Sequence, residues 1–271
     1  MTPVNIFHPP NKVIGGLSLN ILYGRNPSVF GLEVGAIVNR TDDAMGGIQI
    51  SGVVNWDEGK IRGLAIAGIA NAGKHGHCGG VCIAGLFNGL EGMSGLLISG
   101  FGNIVKNGKG VMVTPIMNHV QHDFSGLQIG FVNWNNFLQT QQTLADYGTY
   151  RVVKTTTYTW SGTNRALQIS FGNTADTLIG GQLGPFNVAR TGMRGTQLGG
   201  VWNHGGKRFE GLQLGAINSG GDVAGLQLGG INIARTLKGA QIGAINIATR
   251  NKVPVMLGLL IGNGKDRKAG R

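Results

Sequence analysis

A short pattern of aliphatic and amide residues recurs along this chain. The segment Gly-Leu-Gln-Leu-Gly-Ala-Ile-Asn at 211–218 returns with small changes at 225–232 and at 239–246, so the step is 14 residues each time. Apolar and polar residues alternate within each copy, a pattern that is typical of a β-strand. A fixed short period indicates one structural unit copied along the chain, which predicts an elongated repeat protein.

The same unit can be followed through most of the chain. Copies aligned on Gln213 lie 14–17 residues apart, except for the 40 residues between Gln128 and Gln168, and we expect about sixteen of them. The aligned position, which we call the glutamine column, is occupied by Ser18, Glu33, Gln49, Ala65, Cys82, Leu97, Met112, Gln128, Gln168, Gln182, Gln197, Gln213, Gln227, Gln241 and Leu257. Most copies end in asparagine, from Asn39 to Asn246. Asparagine suits turns, and stacked amides can hydrogen-bond to one another in a ladder.

Two all-β architectures fit strands of this length. One is a parallel β-solenoid, in which each coil stacks ~4.8 Å above the last. The other is an up-and-down β-barrel, for instance in an outer membrane. Nearly every unit begins with glycine and ends with asparagine, which favours the translational symmetry of a solenoid. The alternation of Leu32 and Val34 with Glu33 and Gly35 is what a barrel strand requires, so the barrel stays as the alternative.

The spacing inside the unit predicts a corner. The interval from the glutamine column to the asparagine is five residues in Gln213–Asn218 and six in Gln49–Asn55. One extra residue in a continuous strand would turn the asparagine to the opposite face, so a bend must absorb it. Small residues or prolines mark this place at Ser51-Gly52, Ala84-Gly85, Thr114-Pro115, Gly184-Pro185 and Gly215-Ala216. Proline disfavours a central barrel strand, which again favours the solenoid.

An interruption of the repeat suggests the domain organisation. We expect an N-terminal cap at 1–15, repeat bodies at 16–133 and 166–263, an insertion at 134–165 and a basic tail at 264–271. The run 150–160 is rich in β-branched and aromatic residues, which predicts a strand or hairpin arm projecting from the body. Because insertions into a scaffold often carry added function, the candidate binding residues are Tyr150, Arg151, Lys154, Tyr158 and Trp160.

Composition narrows the class of protein. Glycine contributes 50 of 271 residues, charged residues 13% and apolar residues 41%, which fits neither a disordered chain nor collagen. A formal charge of +11 suits an anionic partner, although Lys and Arg are scattered singly through the turns. No apolar run reaches the ~18 residues of a membrane-spanning helix, and the start of the chain shows no secretory signal.

Four potential metal ligands lie close together in the sequence: His75, His77, Cys78 and Cys82. Imidazole and thiolate donors suit zinc or copper, but this spacing matches no standard structural zinc pattern. Cys82 also occupies the glutamine column, so gathering all four side chains would require a distorted loop. A turn of small residues with incidental His and Cys, or a disulfide, is the competing interpretation, and we expect no cofactor.

Acidic residues do not predict a catalytic set. The third position after the asparagine reads Asp42, Glu58, Lys74, Glu91 and Lys106 in successive copies, as expected for solvated turns with salt bridges. A polysaccharide-cleaving enzyme that uses carboxylates of neighbouring coils is therefore the less favoured hypothesis. The glutamines at 168–241 would bind a repetitive polymer or satisfy one another. Nucleic-acid binding is not favoured, because aromatic and basic residues do not interleave on one strand face.

The units Gly-Leu-Gln-Leu-Gly-Ala-Ile-Asn and Gly-Leu-Gln-Ile-Gly-Phe-Val-Asn resemble those of a family of bacterial short surface-repeat proteins, many of them predicted surface proteins or lipoproteins. The resemblance covers about residues 31–133 and 166–250. It implies a location at the cell surface or outer membrane and implies no catalytic residues. Our hypothesis is a non-enzymatic elongated scaffold that binds a protein or polysaccharide through its long faces or its insertion. A membrane-embedded pore or anchor is the alternative.

Overall fold

The computed structural model describes residues 13–135, 138–146, 151–160 and 162–264, the second and third of these ranges by their backbone pairing alone. These residues form strands and no helix. The first half of the repeat contains β1 (Ile14–Asn20), β2 (Tyr23–Gly35), β3 (Val38–Ser51), β4 (Val54–Asp57), β5 (Lys60–Ala67), β6 (Ala70–Cys78), β7 (Val81–Ala84), β8 (Phe87–Met93), β9 (Leu96–Ser99), β10 (Gly102–Val113), β11 (Met117–Val120), β12 (Phe124–Ile129) and β13 (Val132–Asn135). After β14 (Leu138–Asp146) and β15 (Arg151–Trp160) come β16 (Thr163–Ile169), β17 (Gly172–Leu183), β18 (Phe186–Leu198), β19 (Trp202–His204), β20 (Arg208–Leu214), β21 (Ile217–Leu228), β22 (Ile231–Ala248) and β23 (Val255–Asn263).

Successive copies of the repeat pair in parallel, one directly above the other. Gln213 lies opposite Gln197 below it and Gln227 above it, and the same register holds along the repeat. Twenty-one strands form one continuous sheet wound into a parallel β-solenoid of about 14 turns. Within the described residues only β14–β15 and β22–β23 pair antiparallel. The solenoid prediction is therefore confirmed, and the barrel alternative, which requires antiparallel neighbours, is wrong.

The predicted corners are confirmed. The strand breaks between β3 and β4, between β7 and β8, and between β20 and β21 fall on Gly52, Gly85 and Gly215-Ala216. The two proline corners likewise separate β10 from β11 and β17 from β18. Each break lets the asparagine face the interior whether five or six residues separate it from the glutamine column.

Four columns of side chains fill the interior. One is apolar and is made of Ile14, Val29, Met45, Ile61, Cys78, Met93, Phe124, Leu178, Met193, Phe209, Val223 and Leu237, all buried. The second is the asparagine column, and the third is the glutamine column, buried from Ser18 to Gln241. In the first coil Gly24 lies opposite Asn39, and the side chain of Asn20 fills the place of the missing asparagine. The fourth column lies two residues after the asparagine and includes Thr41, Asp57, Leu90, Val105, Val120, Asn135, Ala175, Ala189, Ala234 and Ala248, all buried. Much of the interior is therefore amide rather than hydrocarbon.

Hydrogen bonds between neighbouring coils satisfy the buried amides. Each Asn Nδ2 from Asn20 to Asn232 donates to the Oδ1 of the asparagine one coil later, at 2.8–3.1 Å. Each Gln Nε2 from Gln168 to Gln241 donates to the Oε1 of the glutamine one coil earlier, at 2.6–3.0 Å. The two ladders run in opposite directions, so their side-chain dipoles oppose each other. The interpretation that the glutamines satisfy one another is confirmed.

The C-terminal end differs from the prediction. The glutamine column has about fourteen coils rather than sixteen, and Leu257 is not part of it. After the turn at 249–254 the chain reverses, so β23 runs antiparallel to β22 and places Leu260 opposite Gln241. Leu260 is buried, whereas Leu257 is 75% exposed. Sequence spacing failed here because a reversed strand can keep the apolar pattern while changing its register.

Candidate interaction surface

Because the amides point inward, the aliphatic residues beside them point outward. The residues that follow the glutamine column form one exterior row, in register on fourteen coils. Its members are Leu19, Val34, Ile50, Ile66, Ile83, Ile98, Val113, Ile129, Ile169, Leu183, Leu198, Leu214, Leu228 and Ile242. Every one is Leu, Ile or Val, and none is buried.

A second exterior row precedes the glutamine column and is almost as apolar. It carries Leu, Ile or Val on eleven of its fourteen coils, the exceptions being Gly181, Thr196 and Ala240. Beyond the corner, two residues before the asparagine, exposed apolar side chains continue with Ile69, Leu86, Phe101, Phe131, Phe171 and Val201. Phe131 and Phe171 stack on each other, with ring centroids 5.0 Å apart.

Together these rows form what we call the uncharged band. It is the exterior of the segments 16–24, 31–39, 47–55, 63–71, 80–88, 95–103, 110–118, 126–133, 166–173, 180–187, 195–203, 211–218, 225–232 and 239–246. The one charged residue in all of these segments is Glu33, which is fully buried in the interior. At ~4.8 Å per coil, the band extends for roughly 60 Å along the solenoid.

The rest of the perimeter, which we call the charged flank, carries the ionic groups. The described repeat residues include sixteen Lys and Arg against ten Asp and Glu, and three of those acids, Glu33, Asp57 and Asp176, are buried. Several acids on the flank bind a base on an adjacent coil. The pairs are Arg25–Asp42 at 2.9 Å, Lys106–Glu91 at 3.0 Å, Arg194–Glu210 at 2.8 Å and Arg235–Asp222 at 2.7 Å. The solenoid is therefore amphipathic around its axis, with a basic excess on the flank.

Basic residues occupy five of the fourteen positions along one edge of the uncharged band. The position just before the repeat glycine, one exterior column away from the apolar rows, contains Arg62, Lys109, Arg165, Arg194 and Lys238, all exposed. Glu210 is the single acid in that column of the described repeat. We call these five residues the basic border row.

Tryptophans lie at the other edge of the band. Trp56 and Trp134 each follow a ladder asparagine, and Trp202 precedes one. The Nε1–H of Trp56 donates to Glu58 Oε1 at 2.6 Å, and that of Trp202 donates to Ser219 Oγ at 3.2 Å. Both rings are more than a third exposed. The apolar part of each ring therefore lies beside the uncharged band, and its Nε1–H forms a hydrogen bond with a residue outside the band.

The four candidate metal ligands do not converge. Cys78 lies in the apolar interior column, Cys82 lies in the glutamine column, and the two form a buried disulfide. His75 and His77 point outward, where His75 Nδ1 lies 3.2 Å from Glu91 and His77 Nε2 lies 3.0 Å from Ser94 Oγ. Strand alternation places adjacent residues on opposite faces, which separates the rings from the sulfurs. No group of three or more His, Cys, Asp or Glu in the described chain could hold a metal ion.

The exposed carboxylates considered as catalytic groups are engaged in ion pairs and hydrogen bonds. Glu58 accepts the bond from Trp56, and that bond holds its pKa below the usual value. Glu91 binds Lys106 and His75, and the bond from Lys106 lowers its pKa. A general acid needs a raised pKa, which neither residue has.

Two carboxyl groups with raised pKa lie in the interior instead. Glu33 accepts bonds from Asn20 and Asn26 through Oε1 and from Gln49 through Oε2, at 2.8–3.0 Å. Burial raises the pKa of Glu33, and burial raises the pKa of Asp57 to about 7. The Nε2 of Gln49 lies 3.3 Å from Asp57 Oδ1, while Asp57 Oδ2 has no partner. These groups face the solenoid axis, away from any external substrate.

The candidate binding residues of the insertion lie partly outside the described residues. Tyr150 is not described, and Arg151, Lys154, Tyr158 and Trp160 belong to β15, whose side chains are not described. The backbone of β15 pairs antiparallel with β14, from Leu138 opposite Trp160 to Asp146 opposite Arg151. This pair forms a sheet separate from the solenoid.

The uncharged band is the surface that sequence reasoning missed, although its signal is in the sequence. Counting charges by position within the repeat, instead of along the chain, finds a single one between the repeat glycine and the asparagine. Nothing in the described chain is a helix that could cross a bilayer. Comparison with protein-family models, with curated proteins and with solved structures finds no match to this chain.

Proposed function

We propose that this protein is a non-enzymatic, elongated scaffold that binds a partner through its uncharged band. The observation that carries the proposal is the exterior row of fourteen Leu, Ile and Val residues, uninterrupted by any polar side chain. Apolar patches larger than a few hundred Å² are rare on monomers and mark interaction sites. The band is one such patch, and it runs along the whole length of the repeat.

The free energy available from this surface is large. Leu198, Leu214 and Ile242 are 37–47% exposed. Covering what remains of one such side chain contributes roughly 1–2 kcal/mol at about 25 cal/mol per Å². Because the row repeats on every coil, a partner that covers even a few coils gains several such contributions. The backbone adds no competing polar groups, since the strands of the band already pair with their neighbours.

The arrangement of acids supports a binding role over hydrolysis. The carboxyl groups whose pKa burial raises, Glu33 and Asp57, are inside. The exposed Glu58 and Glu91 have lowered pKa values and act as hydrogen-bond and ion-pair partners. A carbohydrate-cleaving site would require one raised and one ionised carboxyl group facing the same sugar.

A location outside the cytoplasm is part of the proposal. The resemblance of the repeat to bacterial surface-repeat proteins supports it, and so does the disulfide between Cys78 and Cys82. Disulfides persist in oxidising compartments and are rare in the cytosol. The insertion, with its antiparallel β14–β15 pair, is the second route by which this scaffold could hold a partner.

Site-specific photocrosslinking in intact cells tests the binding role without assuming the partner. A diazirine amino acid is placed at Leu198 in the band, at Lys207 on the charged flank or at Thr156 in the insertion. We expect covalent adducts, detected by mass spectrometry as protein, lipid or glycan, chiefly from position 198. Equal adducts from 198 and 207, or none from 198, would overturn the band as the binding surface. Adducts from 156 alone would assign the role to the insertion.

A further inference from the structure

We infer that the partner of the uncharged band is the surface of an anionic lipid bilayer, on which the solenoid lies lengthwise. This inference rests on the proposed function and names the chemistry of the partner. Three features of the described residues carry it: the uniformity of the aliphatic rows, the basic border row and the position of the tryptophans.

The rows fit a fluid hydrocarbon better than a folded protein. Protein interfaces commonly form about one hydrogen bond per 100–200 Å² and depend on a few anchors in shaped pockets. In the exterior row from Leu19 to Ile242, every side chain is aliphatic and so offers neither donor nor acceptor. Along this row each coil presents nearly the same surface as the next, so a rigid partner would find no unique register there. Lipid chains require neither hydrogen bonds nor register.

Charge distinguishes a lipid surface from a second copy of this chain. The protein carries a net charge of +11, so two copies repel each other. Arg62, Lys109 and Arg165 of the basic border row flank the band without an acid beside them in their column. Basic residues placed at the edge of an apolar surface attract anionic headgroups while the apolar side chains enter the acyl boundary. The same charge that opposes self-association therefore favours the membrane.

The tryptophans complete the arrangement. Trp and Tyr are enriched at the level of lipid headgroups, because an apolar ring and a polar N–H or O–H face two environments. Trp56 and Trp202 have this geometry at the edge of the band opposite the basic border row. An uncharged band with bases along one edge and indoles along the other is the sheet counterpart of an amphipathic interfacial helix.

Vesicle sedimentation with the full chain tests the inference. The probes are large unilamellar vesicles of phosphatidylcholine alone or with a third phosphatidylglycerol, at physiological salt. Wild type should bind the anionic vesicles and bind neutral ones much more weakly. The triple variant R62Q/K109Q/R165Q should weaken binding by roughly a hundredfold, since each base near the surface contributes about a fivefold factor. The matched variant K74Q/K207Q/R250Q removes the same amount of charge from the charged flank away from the basic border row, and it should weaken binding only a few-fold.

A second variant tests the aliphatic rows. Leu198→Thr, Leu214→Thr and Leu228→Thr together should reduce binding at least tenfold; Thr196 already occupies an equivalent exterior position. Circular dichroism and thermal unfolding verify that each variant is folded. Absence of binding to both vesicle types, or equal losses in the two charge variants, would overturn the lipid inference. If crosslinks from position 198 then lead to a protein, the binding role stands with another partner; if they lead nowhere, both proposals fail.

Discussion

The side-chain nitrogen of Gln168 donates a 3.0 Å hydrogen bond to the side-chain oxygen of Gln128, 40 residues earlier in the chain. The bond joins two adjacent coils across the insertion, so the ladder continues as if the intervening residues were absent. Satisfied amides allow a polar interior to be stable, because each lost hydrogen bond to water is replaced inside. Because neighbouring residues of a strand point to opposite faces, inward amides place the aliphatic side chains beside them on the exterior.

Interrupting the amide ladder should destabilise the fold. Gln213→Leu removes the donor to Gln197 Oε1 and the acceptor of Gln227 Nε2. Leaving buried polar groups unsatisfied costs roughly 1–3 kcal/mol each, so we expect a loss of about 2–5 kcal/mol in unfolding free energy, measured by urea denaturation. The neighbouring Leu214→Gln is the control, because that side chain is exposed and should change stability by about 0.5 kcal/mol or less. Equal stability of the two variants would contradict this role for the ladder.

A methyl group at Gly225 should force adjacent coils apart. The residue has φ +145°, and a Cβ there would lie 2.0 Å from the carbonyl oxygen of Gly211. Neither the backbone angle nor the close contact suits alanine, so Gly225→Ala should lower the free energy of unfolding by roughly 2–4 kcal/mol. At Gly200 a Cβ meets nothing within 4 Å, so Gly200→Ala should leave the melting temperature nearly unchanged. A similar fall in both variants would argue against the contact.

The interior carboxyl group of Asp57 should make stability depend on pH. Its pKa in the folded protein is about 7, above the ordinary value of 3.8. The folded state therefore binds the proton more tightly than the unfolded state, so this contribution to stability is complete below about pH 4 and is lost as pH rises through about 7. Asp57→Asn removes the titration, so its stability relative to wild type should increase by a few kcal/mol between those pH values. A constant difference across that range, measured by urea unfolding, would contradict the buried acid.

Removing residues 136–162, the part of the insertion that does not pair with the coils, should leave the solenoid intact. Asn133 and Trp134 pair with Asn173 and Thr174, and Thr163 pairs with Thr177. In the next coil, a single residue, Asp176, connects Ala175 to Thr177, the positions that correspond to Asn135 and Thr163. Replacing 136–162 by one aspartate should therefore give a folded protein whose β-type circular dichroism is unchanged and whose melting temperature shifts by only a few degrees. An aggregated or unfolded product would indicate that the insertion supports the coils around it.

The sequence by itself determined the repeat and its corners, and it favoured parallel stacking over the barrel that the pairing of the coils later excluded. Recurring asparagines and glutamines can hydrogen-bond to one another only if like residues lie above one another. This arrangement requires each coil to repeat the one below it in the same direction. The change from a five-residue to a six-residue interval required a bend, and Gly52, Gly85 and Gly215 are in the breaks between strands. The alternation of Leu212, Gln213 and Leu214 also determined that leucine and glutamine lie on opposite faces of the strand.

Only the tertiary structure decided which of those faces is inside. A period of two residues is symmetric with respect to the sheet, and the ordinary preference for buried leucine points the other way. The stacked coils reverse that preference because identical amides one coil apart hydrogen-bond at 2.6–3.1 Å along the ladders, whereas isolated buried amides would remain unsatisfied. Cys78 and Cys82 form a disulfide because both side chains point inward. His75 and His77 point outward and so lie apart from the two sulfurs. The spacing of residues along the chain does not specify which side chains meet, because that depends on how the closed coil brings its columns together across the interior.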